Sequence, residues 1–170
     1  MLKGIPDWKR TSIYPIGGET LSGLTDRVLR DFSTLEQFDI IAFMSGTNDV
    51  AKGASLEQIK ARYGRLRKTL RAFLPEAQLV VISLLPRPCD YDPKIKLLNK
   101  WLQHWAAHHR MVYIKAFQPF KHGHEGIHED LYGRGKLHLK NKNGKVILHR
   151  LLQSQLGDKN IRRLVGRLQV

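Results

Sequence analysis

Three short polar segments carry residue types that acyl-transfer chemistry uses. They read I-G-G-E-T-L from residue 16, S-G-T-N-D from residue 45 and G-K-L-H-L-K-N-K-N-G from residue 135. Acyl transfer needs a nucleophile, a base that activates it, and hydrogen-bond donors aimed at the developing oxyanion. A histidine can be the base, and a glycine N–H and an asparagine amide can be the donors. If the fold brings these segments together, they can form part of a site for acyl transfer.

The apolar pattern indicates short strands that alternate with amphipathic helices. Continuous apolar runs at residues 39–45 and 79–85 are typical of strands covered on both faces, and the runs at 11–16 and 112–117 read as two more strands. Elsewhere apolar residues recur at three- and four-residue steps, as on one face of a helix. Ser55 and Gln58 form a capping box at the start of one such helix. The predicted helices cover residues 20–32, 56–73, 93–105 and 144–156.

This alternation predicts an α/β fold, a three-layer α/β/α sandwich around a mostly parallel, flavodoxin-like sheet. Ligands bind such sheets at the carboxyl ends of the strands, and the first two polar segments follow predicted strands. The length suits one hydrophobic core. We therefore predict one domain over residues 1–157 and a basic amphipathic tail over residues 158–170.

The three segments resemble, in order, sequence blocks of the SGNH (GDSL-type) hydrolase family. The first resembles the block whose glycine donates an N–H to the oxyanion, which assigns that role to Gly18. The second resembles the G-x-N-D block and implies a second donor at Asn48. The third resembles D-G-x-H-x-N, in which His138 matches the catalytic base. The L-Y-x-x-x-x-L-H-L context around it also looks like esterase domains encoded by retrotransposons.

Two of the family's three catalytic groups are not found. The family's nucleophilic serine belongs to a G-D-S block after the first strand, and the sequence contains no G-D-S. We therefore expect this strand to be missing, or to come from a partner chain or an upstream segment. Ser45 lies in the G-T-N-D strand, away from the nucleophile position. Gly135 stands where the family has the aspartate that orients the histidine, with Glu129 or Asp130 as alternative partners for the imidazole.

A large excess of basic residues favours an anionic partner. The chain has 29 Lys+Arg against 15 Asp+Glu, a formal net charge of +14, and a pI near 10.2. Nucleic acid is the partner we predict, with acidic lipid and a merely solvated surface as alternatives. No acid follows Glu57 on the helix over 56–73, so ion pairs within that helix cannot neutralise its basic face. The residues predicted to contact phosphate are Arg62, Arg65, Lys68, Lys136, Lys140, Arg162, Arg163 and Arg167.

Other features exclude some classes of protein. The single cysteine, Cys89, permits no internal disulfide and fits an intracellular protein, cytoplasmic or nuclear. No apolar run has the length of a membrane span, and the N-terminus lacks the pattern of a signal peptide. The histidines and acids between His122 and Asp130 match no metal-site spacing, so we expect neither a metal nor another cofactor.

Two functions follow from these residues. The first is a degenerate, non-catalytic SGNH hydrolase-like domain that binds RNA or DNA through basic surfaces and derives from a retroelement. The second is an esterase that acts on a carboxylic ester, with its serine block outside this chain. An interaction module whose charge serves solubility alone is a third alternative.

Overall fold

The computed structural model describes residues 16–87, 92–122, 126–133, 139–140 and 143–156. These residues form one parallel sheet, in the strand order β1-β2-β3, and a separate antiparallel pair, β4-β5. The strands are β1 Ile40–Phe43, β2 Gln78–Ile82, β3 Val112–Ile114, β4 Lys121–His122 and β5 Gly126–Ile127. The helices are α1 Leu21–Leu35, α2 Thr47–Ala51, α3 Leu56–Phe73, α4 Asp92–His108 and α5 Gly144–Leu156.

The parallel sheet confirms the predicted α/β class. Ala42 of β1 pairs with Val80 of β2, which pairs in turn with Val112 of β3. Every residue of β2 is buried, as its continuous apolar run predicts for a central strand. Among the described residues β1 is an edge strand, and its Ala42 is exposed.

Alternate side chains of β2 enter two different cores. Leu79 and Val81 belong to the cluster formed with α1, α3 and α4 on one face of the sheet. Val80 and Ile82 belong to the cluster on the other face, which α5 and the segment around β5 complete. Because successive strand residues point to opposite faces, one short strand anchors both helical layers.

Local capping places the two helices that flank the G-T-N-D segment. The Thr20 hydroxyl accepts a hydrogen bond from the Gly23 N–H and begins α1. At α3 the Ser55 hydroxyl accepts from the Gln58 N–H at 3.1 Å, and the Gln58 side chain accepts from the Ser55 N–H at 2.8 Å. The predicted capping box is therefore confirmed, and it satisfies two N–H groups that a helix start leaves without partners.

The three strands of the parallel sheet are shorter than their apolar runs predicted, and α2 and the β4-β5 pair were not predicted. The strand predicted at 11–16 lies outside the described residues except for Ile16, and the tail over 158–170 lies outside them entirely. A missing first strand and the proposed domain boundary stay predictions. Within the described residues, no helix is long and apolar enough to cross a membrane.

Candidate functional site

The turn before α1 and the start of α2 meet through Asn48. Its side-chain Nδ2 donates a hydrogen bond to the Glu19 carbonyl at 2.9 Å, across 29 positions of sequence. Glu19 directly follows Gly18, so two of the three residues predicted to form the site lie close together. An amide nitrogen carries two N–H groups, and this bond uses one of them. Within the described residues the second N–H has no acceptor, so it can donate to a ligand.

Gly18 occupies a backbone conformation that favours glycine. Its φ is +74°, and it lies in an exposed turn that the Glu19 N–H closes on the Ile16 carbonyl at 3.5 Å. No atom of the residues that the structure describes lies within 4 Å of the position that a Cβ would take at Gly18. The requirement for glycine here is therefore conformational, because side-chain-bearing residues rarely adopt this φ.

Asp49, the next residue of the G-T-N-D segment, holds α2 against the start of α1. Its carboxylate is completely buried and accepts from the Leu21 N–H at 2.9 Å and from the Arg62 guanidinium at 2.7 Å. One side chain thus joins α2 to the start of α1 and to α3. Because both oxygens have charged or N–H donors, the buried carboxylate is hydrogen-bonded and paired, as burial of a charge requires.

Tyr63 supports the same loop from α3. Its hydroxyl donates to the Ser45 carbonyl, and the next residue, Gly46, has a φ of +114°. A Cβ at Gly46 would lie 3.1 Å from the Tyr63 hydroxyl. Burial, with the charge of Asp49 as the second cause, raises the pKa of Tyr63 well above its usual value. The phenol therefore stays protonated, and keeps donating, further into the alkaline range than an exposed tyrosine would.

Several residues of the predicted site lie outside the described residues. They include His138 and Gly135, so the contacts of the imidazole and the convergence of His138 with Gly18 and Asn48 stay predictions. Glu129 and Asp130, the alternative acids, are exposed in a 3₁₀ turn.

The residues predicted to contact phosphate differ in their exposure and in their partners. Arg65 and Lys68 are exposed on α3, and Lys140 is exposed near the start of α5. Arg62 is paired with Asp49, an acid that comes from α2 and not from the same helix. The remaining predicted contacts lie outside the described residues: Lys136, Arg162, Arg163 and Arg167.

Sequence reasoning missed Asp49 and Tyr63 as supports of the loop. Asp49 was visible as the last letter of G-T-N-D, but its partners come from two helices and no local pattern names them. Tyr63 lies on the apolar stripe of α3, where its position predicts a core residue and nothing more. A tyrosine in place of an aliphatic residue on a fully buried stripe was the available signal, since a buried hydroxyl needs a hydrogen-bond partner.

Comparison with solved structures shows that this α/β fold is shared with lipases, acylhydrolases and esterases. A GDSL-like lipase from Bacteroides thetaiotaomicron matches with a TM-score of 0.68 at 16% identity, covering 86% of this chain and 72% of that one. A putative acylhydrolase from Bacteroides fragilis gives 0.70 at 14% identity, with 90% and 73% covered. The esterase domain of an ORF1 protein from a zebrafish retrotransposon gives 0.54 at 19% identity, with 88% and 90% covered.

The sequence itself identifies the family. The model of the GDSL-like lipase/acylhydrolase family matches residues 3–142, which is most of the chain. The chain therefore belongs to this family, as the motif resemblance predicted. No curated protein sequence matches it significantly.

Proposed function

We propose that this member of the GDSL-like family is a non-catalytic domain that binds nucleic acid through basic surfaces. The observation that carries the proposal is the formal net charge of +14 in 170 residues, with Arg65 and Lys68 exposed side by side along α3. Residues three apart on a helix lie on one face, so both can reach the same phosphate backbone. Lysine and arginine contacts to phosphate supply much of the affinity of nucleic-acid-binding proteins.

The chain's departures from the family pattern support the absence of catalysis. Gly135 replaces the acid expected three residues before His138, and glycine has no side chain to orient an imidazole or stabilise its protonated form. An intracellular location, where nucleic acid is available, and an origin in a retroelement both fit this proposal.

The test measures binding of the whole chain to fluorescently labelled single-stranded RNA by anisotropy, from about 50 mM to about 200 mM salt. We expect the affinity to fall steeply with salt. The charge-reversed variant Arg65→Glu/Lys68→Glu should bind more weakly. Neutralising two phosphate contacts on a single strand contributes about 1.4 to the slope of log K against log salt, so the slope should become shallower by at least that amount.

The control reverses two exposed charges on α5, Lys145→Glu/Arg150→Glu, and changes the net charge equally. We expect it to keep more of the affinity than the α3 variant. Arg62 is left unchanged in both variants. Its loss would leave the buried Asp49 carboxylate without its cationic partner. An affinity that stays constant between low and physiological salt would rule out the proposed function.

Esterase activity is the second candidate, and the bond between Asn48 and Glu19 favours it. This bond holds the asparagine amide beside the Gly18 turn, as two oxyanion donors would require. If the chain hydrolyses a chromogenic acetyl ester, Asn48→Ala should lower kcat by about 10²–10³-fold. His138→Ala should abolish any burst of product. Equal background rates for the wild type and both variants would exclude esterase activity of this chain by itself.

A further inference from the structure

Helices α3 and α4 pack along a seam that begins with aromatic rings. The ring of Tyr63, on α3, lies with its centre 5.9 Å from that of Trp101 and 5.6 Å from that of Trp105, both on α4. The two tryptophan rings stack at 5.2 Å. His109, directly after α4, meets Trp105 edge to face at 5.5 Å. These ring contacts fix the position of the imidazole at the end of the seam.

Beyond the rings, the same seam becomes cationic. Arg67 and Arg71 follow Tyr63 at four-residue steps, so they continue its face of α3. Burial first, and repulsion by Arg67 second, lower the pKa of His109 and the pKa of Arg71. Positive charges from both helices are therefore gathered where this end of α3 meets the end of α4.

Arg71 has partners of its own, whereas Arg67 has no hydrogen-bond partner in the part of the chain that the structure describes. Arg71 donates to the carbonyls of Pro75 and Ala77 at 3.1 and 2.7 Å, and the charge of Glu76 partly offsets the repulsion on it. The Arg67 Nε is buried without a partner, although the residue as a whole is partly exposed. Buried donors are nearly always satisfied, so an unsatisfied one indicates that a partner from outside the chain can complete it.

The His109 imidazole is close to charges of its own sign. The groups that act on it are Arg67 from α3 and His108 from α4, and both oppose its protonation. No acid of the described ranges is among these groups. The carboxyl end of a helix ordinarily favours cations, which is the alternative explanation for histidines at this place. Because the pKa of His109 is lowered instead of raised, burial and repulsion outweigh any such stabilisation.

From these contacts we infer that Arg67 and His109 together bind a phosphate group of a nucleic-acid backbone. The inference rests on the proposed function and gives it a specific site. The guanidinium fork matches the oxygens of a phosphate, and a protonated imidazole can donate a further hydrogen bond. Arg67 directly precedes Lys68, which is exposed on α3, so a backbone that contacts Lys68 can also reach this pair. The bound phosphate relieves the repulsion between the two cations.

This pair makes RNA binding depend on pH. A phosphodiester keeps its charge between about pH 5 and pH 8, the range in which histidine changes its own. An opposite charge nearby favours the protonated imidazole, so we expect bound RNA to raise the pKa of His109 by about one unit. The complex then takes up a proton, and the affinity rises as the pH falls. One unit is a factor of ten in an equilibrium constant, so the gain can reach about tenfold.

The experiment titrates the whole chain with an oligouridylate of about 16 nucleotides, at the upper end of the site sizes of small single-strand-binding folds. NMR of isotope-labelled wild type, with sequentially assigned histidines, gives the pKa of His109 without ligand, with saturating RNA and with inorganic phosphate. Affinities across the same pH range are measured for Arg67→Met and His109→Gln. The matched controls are Arg150→Met and His104→Gln, at exposed positions of α5 and α4. Circular dichroism checks that each variant folds, and the NMR measurement needs no variant.

We expect Arg67→Met to bind RNA at least about tenfold more weakly than the wild type, because a charged hydrogen-bonded contact is lost. Arg150→Met, whose charge lies on the other side of the sheet, should lose less than about threefold. The gain in affinity at low pH should be smaller in His109→Gln than in His104→Gln.

Three results would overturn the inference. If the wild type binds no RNA, the proposed function fails and this inference fails with it. If RNA binds, the inference alone is overturned by an unchanged pKa of His109 at saturation, or by equal affinities of Arg67→Met and Arg150→Met. A pKa of His109 that rises with inorganic phosphate but not with RNA also overturns it, because the site would then hold a small anion only.

Discussion

Replacing Arg62 with methionine should destabilise the fold far more than the same change at a neighbouring basic residue. Methionine keeps an unbranched apolar stem and removes the guanidinium that donates to Asp49 at 2.7 Å. The Asp49 carboxylate, which is completely buried, would keep only the Leu21 N–H as a donor. Its negative charge would then have no cationic partner in a place that water does not reach.

The magnitude follows from the burial of the two partners. Removing one member of a buried ion pair costs about 3–5 kcal/mol, because the other charge stays buried alone. The Arg62 side chain is 34% exposed and the Asp49 side chain 0%, so Arg62 keeps part of its hydration in the folded state and the pair is less than fully buried. We therefore expect about 3 kcal/mol. In a domain of this length that corresponds to a Tm lower by about 6–12 °C.

The assay is thermal and urea unfolding, with Arg65→Met and Lys68→Met as matched controls. Both control residues are exposed on the same helix, so we expect changes within about 0.5 kcal/mol. Asp49→Asn and the double variant Asp49→Asn/Arg62→Met complete a double-mutant cycle, and the double variant should be less destabilised than the sum of the single variants. A Tm for Arg62→Met within 2 °C of Arg65→Met would refute the reasoning.

Three more predictions concern other buried contacts. Gly46→Ala should lower the stability by about 1–3 kcal/mol, because φ there is +114° and the new Cβ would lie 3.1 Å from the Tyr63 hydroxyl; an unchanged urea midpoint would contradict it. Asn99→Ala should lower the free energy of unfolding by about 2–4 kcal/mol, since it leaves both backbone groups of Leu84 buried without their present partner. A decrease under about 1 kcal/mol in urea unfolding would argue against that role of Asn99. Burial raises the pKa of Tyr113 to about 12 from 10.0. The folded state therefore holds this proton more tightly than the unfolded state, and the resulting stability is present below pH 10 and lost as the pH rises towards 12. Unfolding followed between these pH values should show a weaker alkaline decline in Tyr113→Phe than in the wild type.

Helix α3 shows how much of the fold local sequence specifies. Its start at the Ser55–Gln58 capping box and its buried stripe were both predicted, and the stripe residues Ile59, Leu66 and Leu70 are at most 1% exposed. Both features depend on residues three or four positions apart. Such neighbours meet in any helix, whatever the rest of the chain does.

The ends of the strands were not predictable in this way. The apolar run at 79–85 is longer than β2. The strand ends at Ile82, although Leu84 and Leu85 beyond its end are also buried. The Leu84 backbone bonds to the Asn99 side chain of α4 instead of to a neighbouring strand. Likewise, the Lys115 backbone just after β3 bonds to Gln155 of α5. An apolar run reports burial, whereas a strand ends where its backbone partner changes.

By itself, the sequence determined the α/β class, the family, the helix stripes and the excess of positive charge. All of these depend on composition, on motif order or on spacing along the chain. Only the tertiary structure decided that Asn48 donates to Glu19, that Arg62 is paired with Asp49, and that the Asn99 side chain bonds to the Leu84 backbone. The physical reason is that these contacts join residues from different elements, and packing of the elements, which no local spacing encodes, brings them into contact.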